Sequence, residues 1–351
     1  MTLPAPIFLP TTVMLALATG YACGFVESAG LRVAASMGGS RVQAVASGEN
    51  LSGLVVAAVE VARAWGGAGA EEGGPDDGDD KGWVAAGAGI AFGSVAATCL
   101  LAAGNAVWIR REAKEGCGVD RTLHRIASIM SRPSEPREEM RAVLMDAWLP
   151  LGCLFVTAMQ TLAVFPGLIA AVEPLSPTAP SLFAPISFLV FNAFAWLGAA
   201  APAFWAPDER KIDDFLLRWT TARFLLIPSF LFCNVVFRDS ELNPLPKSVP
   251  TLISSDNLYL AILAIFSLSH GYLTCLCMVR VPQKAAAADP AVDIDDAVAV
   301  VDAGAGGSVV ALAYSVGCWS GTAAGFVLRF VCLSFAAADR QSPGLTLARG
   351  I

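Results

Sequence analysis

Two histidines, nine cysteines and a scatter of acids are the residues from which chemistry could be built. Their spacing builds none of the usual catalytic sites. The cysteines show no CxxC pair, and Cys99, Cys153, Cys233 and Cys332 sit within apolar stretches, as small buried residues do. His124 and His270 belong to no cluster with metal-ligand spacing. Gly87-Ala88-Gly89 and Gly304-Ala305-Gly306 lack the Lys-Ser/Thr pair of a phosphate loop. No nucleophile–base set stands out, so an enzyme is not expected and no cofactor is called for.

The informative polar residues are those embedded in apolar surroundings. Glu49, Gly53, Val56 and Glu60 recur at helical spacing and should share one inward-pointing face. Asn192, Arg218, Arg223, Asn234 and His270 are similarly embedded, and Asp146 opens an apolar block. Two readings stay open for them. One is a polar translocation path; the other is interhelical hydrogen bonding with snorkelling near the interfaces. Pro166 and Pro228 also fall inside apolar blocks, where each would free a carbonyl.

These residues need elements to hold them. Apolar types make up 55% of the 351 residues and charged types 15%, against about 25% charged in a soluble domain. The apolar residues arrive in about eight blocks of bilayer length. They cover residues 7–28, 43–64, 83–109, 143–170, 182–205, 214–237, 256–279 and 308–335. Lipid offers the backbone no hydrogen-bond partner, so each block should be a helix. An all-α, polytopic membrane bundle follows, with the lipid bilayer as its solvent. Gly317, Gly321 and Gly325 mark a face for close helix packing. The acidic tracts Glu71 to Asp80 and Asp289 to Asp302 read as solvated loops.

Lys and Arg orient the bundle. The loop between the third and fourth blocks, residues 110–142, is strongly basic, and 14 Lys/Arg fall on its side against 6 on the other. That side is cytoplasmic, both chain ends are outside, and the loop separates three spans in 1–109 from five in 143–351.

At this point a family likeness emerges. Ser47-Gly48-Glu49-Asn50-Leu51-Ser52-Gly53 resembles the Gly-Gln-x-x-x-Gly signature of equilibrative nucleoside transporters. Val164-Phe165-Pro166 resembles that family's Val-Phe-Pro turn. The stretch Phe191-Asn192 to Gly198 is similar to its Phe-Asn-x-x-Asp-x-x-Gly-Arg helix. Arg223, Ile227-Pro228 and Cys233-Asn234 resemble a further family helix, and His270-Gly271-Tyr272-Leu273 with Met278 and Pro282 another. All five come in the family's order.

The resemblance implies a major-facilitator-like bundle that would begin at the fourth of eleven helices. It implies facilitated passage of a nucleoside or nucleobase by alternating access, with no nucleic-acid partner. The substrate path it implies is Gly48, Glu49, Gly53, Phe165, Pro166, Asn192, Gly198, Arg223, Asn234, His270 and Gly271. The plasma membrane is the expected location, an endomembrane the alternative. Four positions depart from the pattern: Ala195 and Ala199 stand where the family has Asp and Arg, Glu49 replaces Gln, and His270 replaces Asn. The missing charged pair favours the alternative of a transport-inactive relative with a structural or regulatory role.

Overall fold

A computed structural model of the chain describes residues 14, 24, 26–35, 37–71, 136–176, 180–237, 244, 250–287 and 297–341. The third expected span, 83–109, lies outside these residues, as do most of the first span and most of the basic loop. Within them the chain folds as α-helices joined by short turns. Helix α1 covers residues 26–35, and α2 runs Gly39–Glu71. After them come α3 Pro136–Asp146, α4 Trp148–Val164 and α5 Pro180–Ala200. Next are α6 Ile212–Ala222, α7 Leu226–Leu231, α8 Asp256–Ala287 and α9 Ala297–Gln341. Five stretches within them are long and apolar enough to cross a bilayer: Gly39–Trp65, Trp148–Ala171, Ser181–Ala203, Asp256–Ala285 and Ala305–Ser334. The chain is an all-α, multi-pass membrane protein.

The sixth expected span is built differently from the others. It is two short helices, α6 and α7, joined by a single tight turn at Arg223–Leu225. Pro228 has no N–H for the Phe224 carbonyl four residues back, so the chain tightens locally. The Leu226 amide bonds to Arg223 O instead.

Three expectations need correction. Pro166 interrupts a helix, not a span: α4 ends just before it and the apolar stretch runs on to Ala171. Phe165 takes extended torsions (φ −99°, ψ 135°), as a residue before proline must, and α4 stops at Val164. Asn234 is not inside a span, because α7 ends at Leu231 and Asn234 lies in the irregular segment beyond. The second acidic tract is not wholly a loop. From Ala297 it is the start of α9, where alanine favours helix. A helix, α3, likewise begins inside the basic loop at Pro136, where proline suits a first helical position.

Helix α8 is the hub. It packs on α2, α4, α5 and α9, and 67% of its apolar window is buried, against 17% for α2 and α9. Small residues permit the closest approaches. Gly317, Gly321 and Gly325 of α9 lie against the α4 backbone at Phe155, Met159 and Ala163. The sequence marks this face correctly, because a Cβ at any of the three would press on an α4 carbonyl. Around the hub lie two apolar cores. Leu154, Leu216, Leu273, Met278 and Val310 belong to one, and Ile169, Phe191, Phe230, Leu263 and Phe266 to the other. Trp319, Phe326 and Phe330 project outward from α9, as lipid-facing side chains do.

Polar contacts tie the helix ends. Near the C-terminal end of α8 Asp213 binds Lys284 at 2.5 Å and Arg280 at 3.5 Å. At its N-terminal end the Asp256 carboxylate accepts from the Leu175 and Ser176 amides at 3.0 and 3.1 Å. That contact holds the chain after α4 to the first turn of α8, where a carboxylate also suits the helix dipole.

Candidate functional site

A cleft of about 520 Å³ opens between α2 and α5. Ser52, Gly53, Val56 and Glu60 form one wall; Pro185, Phe188 and Asn192 form the other. Gly53 is needed there, since a Cβ on it would overlap the Asn192 amide oxygen. Asn192 donates from Nδ2 to Phe188 O at 2.8 Å, one turn back. Its Oδ1 is thereby turned toward Gly53. The lining is apolar apart from this amide, Ser52 and Glu60 at one end, where Glu60 pairs with Arg63 at 2.9 Å.

A row of aromatic rings leads from the cleft into the bundle. Phe188, a wall residue, meets Phe165 edge-on at 5.0 Å. Phe165 stacks on Phe191 at 3.9 Å, and Phe191 lies over His270 at 6.2 Å and 26°. The break at Phe165–Pro166 makes this possible, because it turns Phe165 away from α4 and toward α5.

At the inner end of the row lies a buried polar network spanning α4, α8 and the turn between α6 and α7. Arg223 is 2% exposed. Its guanidinium donates to Thr157 O at 3.3 Å, Thr161 Oγ1 at 3.1 Å and Phe266 O at 3.1 Å, and lies 4.4 Å from the centre of the Phe266 ring. All three acceptors are neutral oxygens. The charge is thus dispersed over carbonyl dipoles, a hydroxyl and a ring face instead of a carboxylate. Thr161 Oγ1 also meets His270 Nδ1 at 3.1 Å, and Gln160 Nε2 donates to Thr220 O at 3.0 Å. The sequence reading missed Thr157, Gln160, Thr161 and Thr220. Their signal was present: polar residues at 157, 160 and 161 fall on one face of an otherwise apolar helix.

The remaining expected path residues divide into three groups. Gly198 and Gly271 are buried in the seam between α5 and α8, where each lies against the other helix's backbone. Ala195 and Ala199 fill the same seam and are fully buried. Asn234 exchanges bonds with Glu173: its Nδ2 donates to Glu173 O at 2.9 Å, and the Glu173 amide donates to Asn234 O at 3.0 Å. It therefore fastens the segment after α7 to the end of the fourth span. Gly48 and Glu49 are exposed on α2 and do not line the cleft. The expected inward face thus holds for Gly53, Val56 and Glu60 but not for Glu49, which is turned toward Glu27 and Tyr314. Asn50 bonds to Ala46 O at 2.8 Å, not to Glu49.

The nucleoside transporter family model matches residues 115–301, just over half of the chain. The chain belongs to this family. Equilibrative nucleoside transporter 2 of Homo sapiens is 30% identical over 165 residues, which cover 44% of this chain and 33% of that protein. Equilibrative nucleoside transporter 1 of Rattus norvegicus is 30% identical over 162 residues, with the same two shares. The mouse transporter 2 is 29% identical over 161 residues, covering 43% and 33%. The chain thus spans about a third of the length of the curated relatives it matches. Within this nucleoside transporter family member the matched residues include α4 to α8, and with them the aromatic row, the Arg223 network and the α5 wall of the cleft.

Proposed function

We propose that this protein provides a facilitated path for nucleosides or nucleobases across a membrane. The observation that carries the reading is the cleft between α2 and α5, with the Asn192 amide in its wall and stacked rings leading inward. A nucleobase is a flat ring edged with donors and acceptors. It suits stacking on Phe188 and Phe165 and bonding to Asn192. The cleft also lies between a helix of the 1–109 group and one of the 143–351 group. Rocking of one group against the other would open it to each side in turn. Gly53, Phe165 and Asn192 are the residues placed to meet a solute. Phe191, Arg223 and His270 form the inner end of the path. The plasma membrane is the proposed location.

A second reading, a transport-inactive relative with a structural or regulatory role, draws on one observation. Ala195 and Ala199, where the family pattern has a charged pair, are sealed in the α5/α8 seam. The two readings separate in one experiment. The full chain is expressed in cells lacking nucleoside transport, and uptake of radiolabelled uridine and adenosine is followed. Slow, saturable uptake supports transport; none above background, with the protein folded and at the surface, supports the second reading.

A further inference from the structure

We propose that Glu60 recognises the sugar of a nucleoside, its carboxylate accepting the ribose hydroxyls while the base lies against Phe188 and Asn192. The inference rests on the nucleoside reading above and deepens it: the cleft selects ribosides over free nucleobases.

The polar groups of the cleft stand at two separated places. Asn192 lies beside Gly53, and Glu60 lies further along α2. Residues 53 and 60 are seven positions apart on that helix, about 10 Å along its axis at about 1.5 Å per residue. Between them the walls are Val56, Ala57, Ala184, Pro185 and Phe188, whose side chains offer no hydrogen bond. Ser52 spends its hydroxyl hydrogen within α2, on Glu49 O at 2.7 Å. The solute that uses this lining has a polar group at each end and a flat face between them. A nucleoside has that form, with a base edge at one end and a diol at the other. A free nucleobase has the first end only.

The chemistry of the two groups assigns the ends. Asn192 uses one Nδ2 hydrogen on Phe188 O. It keeps one donor and its carbonyl acceptor, which match the mixed edge of a base. Glu60 is the only charged residue lining the cleft among the described residues. Its Oε2 accepts from Arg63 Nε at 2.9 Å, and its Oε1 has no partner among those residues. A carboxylate only accepts, so it takes hydroxyls and turns away phosphates. Neighbouring ribose hydroxyls bring two donors to one carboxylate, and a bond to a charged acceptor is stronger than a neutral one. Acidic side chains hold ribose hydroxyls in dinucleotide-binding folds by the same chemistry. The ion pair alone gives Glu60 little to do. The Glu60 and Arg63 side chains are 40% and 45% exposed and three residues apart on one helix, and such pairs add little stability.

The test is a comparison of ligands on the purified full chain. Adenosine, 2′,3′-dideoxyadenosine and adenine are titrated by calorimetry. The last two keep the base and its amine but lack the diol, and each should bind about tenfold more weakly than adenosine. In Glu60→Ala the gap between adenosine and dideoxyadenosine should close, with dideoxyadenosine binding as it does to the parent. Glu60→Gln, which keeps the shape and loses the charge, should narrow the gap. A merely structural role for Glu60 would weaken all three ligands alike and leave the gap in place. Equal binding of adenosine and dideoxyadenosine to the parent overturns the inference and leaves the nucleoside reading standing. So does a gap that survives Glu60→Ala or, should that variant not fold, Glu60→Gln. Failure of all three to bind the folded parent overturns the inference together with the nucleoside reading.

Discussion

Gly271 on α8 lies so close to Ala195 on α5 that a Cβ at residue 271 would overlap the Ala195 carbonyl oxygen and reach within 2.9 Å of the Ala199 amide nitrogen. One turn away the relation is mirrored, with Gly198 against Leu268 and Tyr272. The two helices therefore touch backbone to backbone, which only paired glycines allow. Gly271→Ala should lower stability by about 1–3 kcal/mol, the range for overpacking a tight core. Gly48→Ala, where a Cβ meets nothing within 4 Å, should not destabilise. Thermal unfolding of both variants in detergent compares them. Equal stability would mean that the seam has room to relax.

The same seam bears on the charged pair that the family pattern has and this chain lacks. Ala199→Arg alone would place an unpaired charge among fully buried residues. It should leave little folded protein in a fluorescence size-exclusion assay. If it expresses as well as the parent, the seam is wider in solution than in this structure.

Gly53 and Asn192 give the cleft its width. A methyl at residue 53 would press on the end of one polar side chain, not on backbone. Gly53→Ala should therefore fold normally while raising the half-saturation concentration for uptake several-fold. Uptake kinetics unchanged from the parent would remove the cleft from the path.

Glu49 brings a carboxylate into span two, turned toward Glu27 of α1 and Tyr314 of α9. Glu49→Gln removes the titrating group and keeps the shape. If Glu49 sets a pH dependence of uptake, the profile across mildly acidic to neutral pH should flatten in the variant. An unaltered profile assigns the dependence to another group.

Orientation rests on the Lys/Arg asymmetry. Single cysteines placed near Asp77 and near Arg121 should label oppositely in intact cells, the first from outside only. Equal labelling from outside would contradict the assigned topology.

Residue types along the chain determined the solvent, the fold class and the main spans. Blocks such as 256–279 are too long and too apolar for anything but a lipid-spanning helix, and that follows from local composition alone. The five motifs in family order could be read in the same way, because each is a short continuous string. What the sequence could not supply is the angle at which each helix faces its neighbours. Arg223 reads as a charge in an apolar block, and only packing brings it to Thr157 and Thr161, more than sixty residues away along the chain. Gly198 and Gly271 read as path residues until α5 and α8 are seen to close on them. Asn234 reads as buried in a helix, but α7 stops short of it and its amide joins two chain ends instead. Helical periodicity puts Glu49 on the same face as Gly53, yet that face is broad, and the position of α5 decides that the cleft reaches Gly53 and not Glu49. Composition fixes whether a helix is buried in lipid. Which side chains meet is settled by the azimuth and depth of each helix, and these depend on contacts among all of them at once.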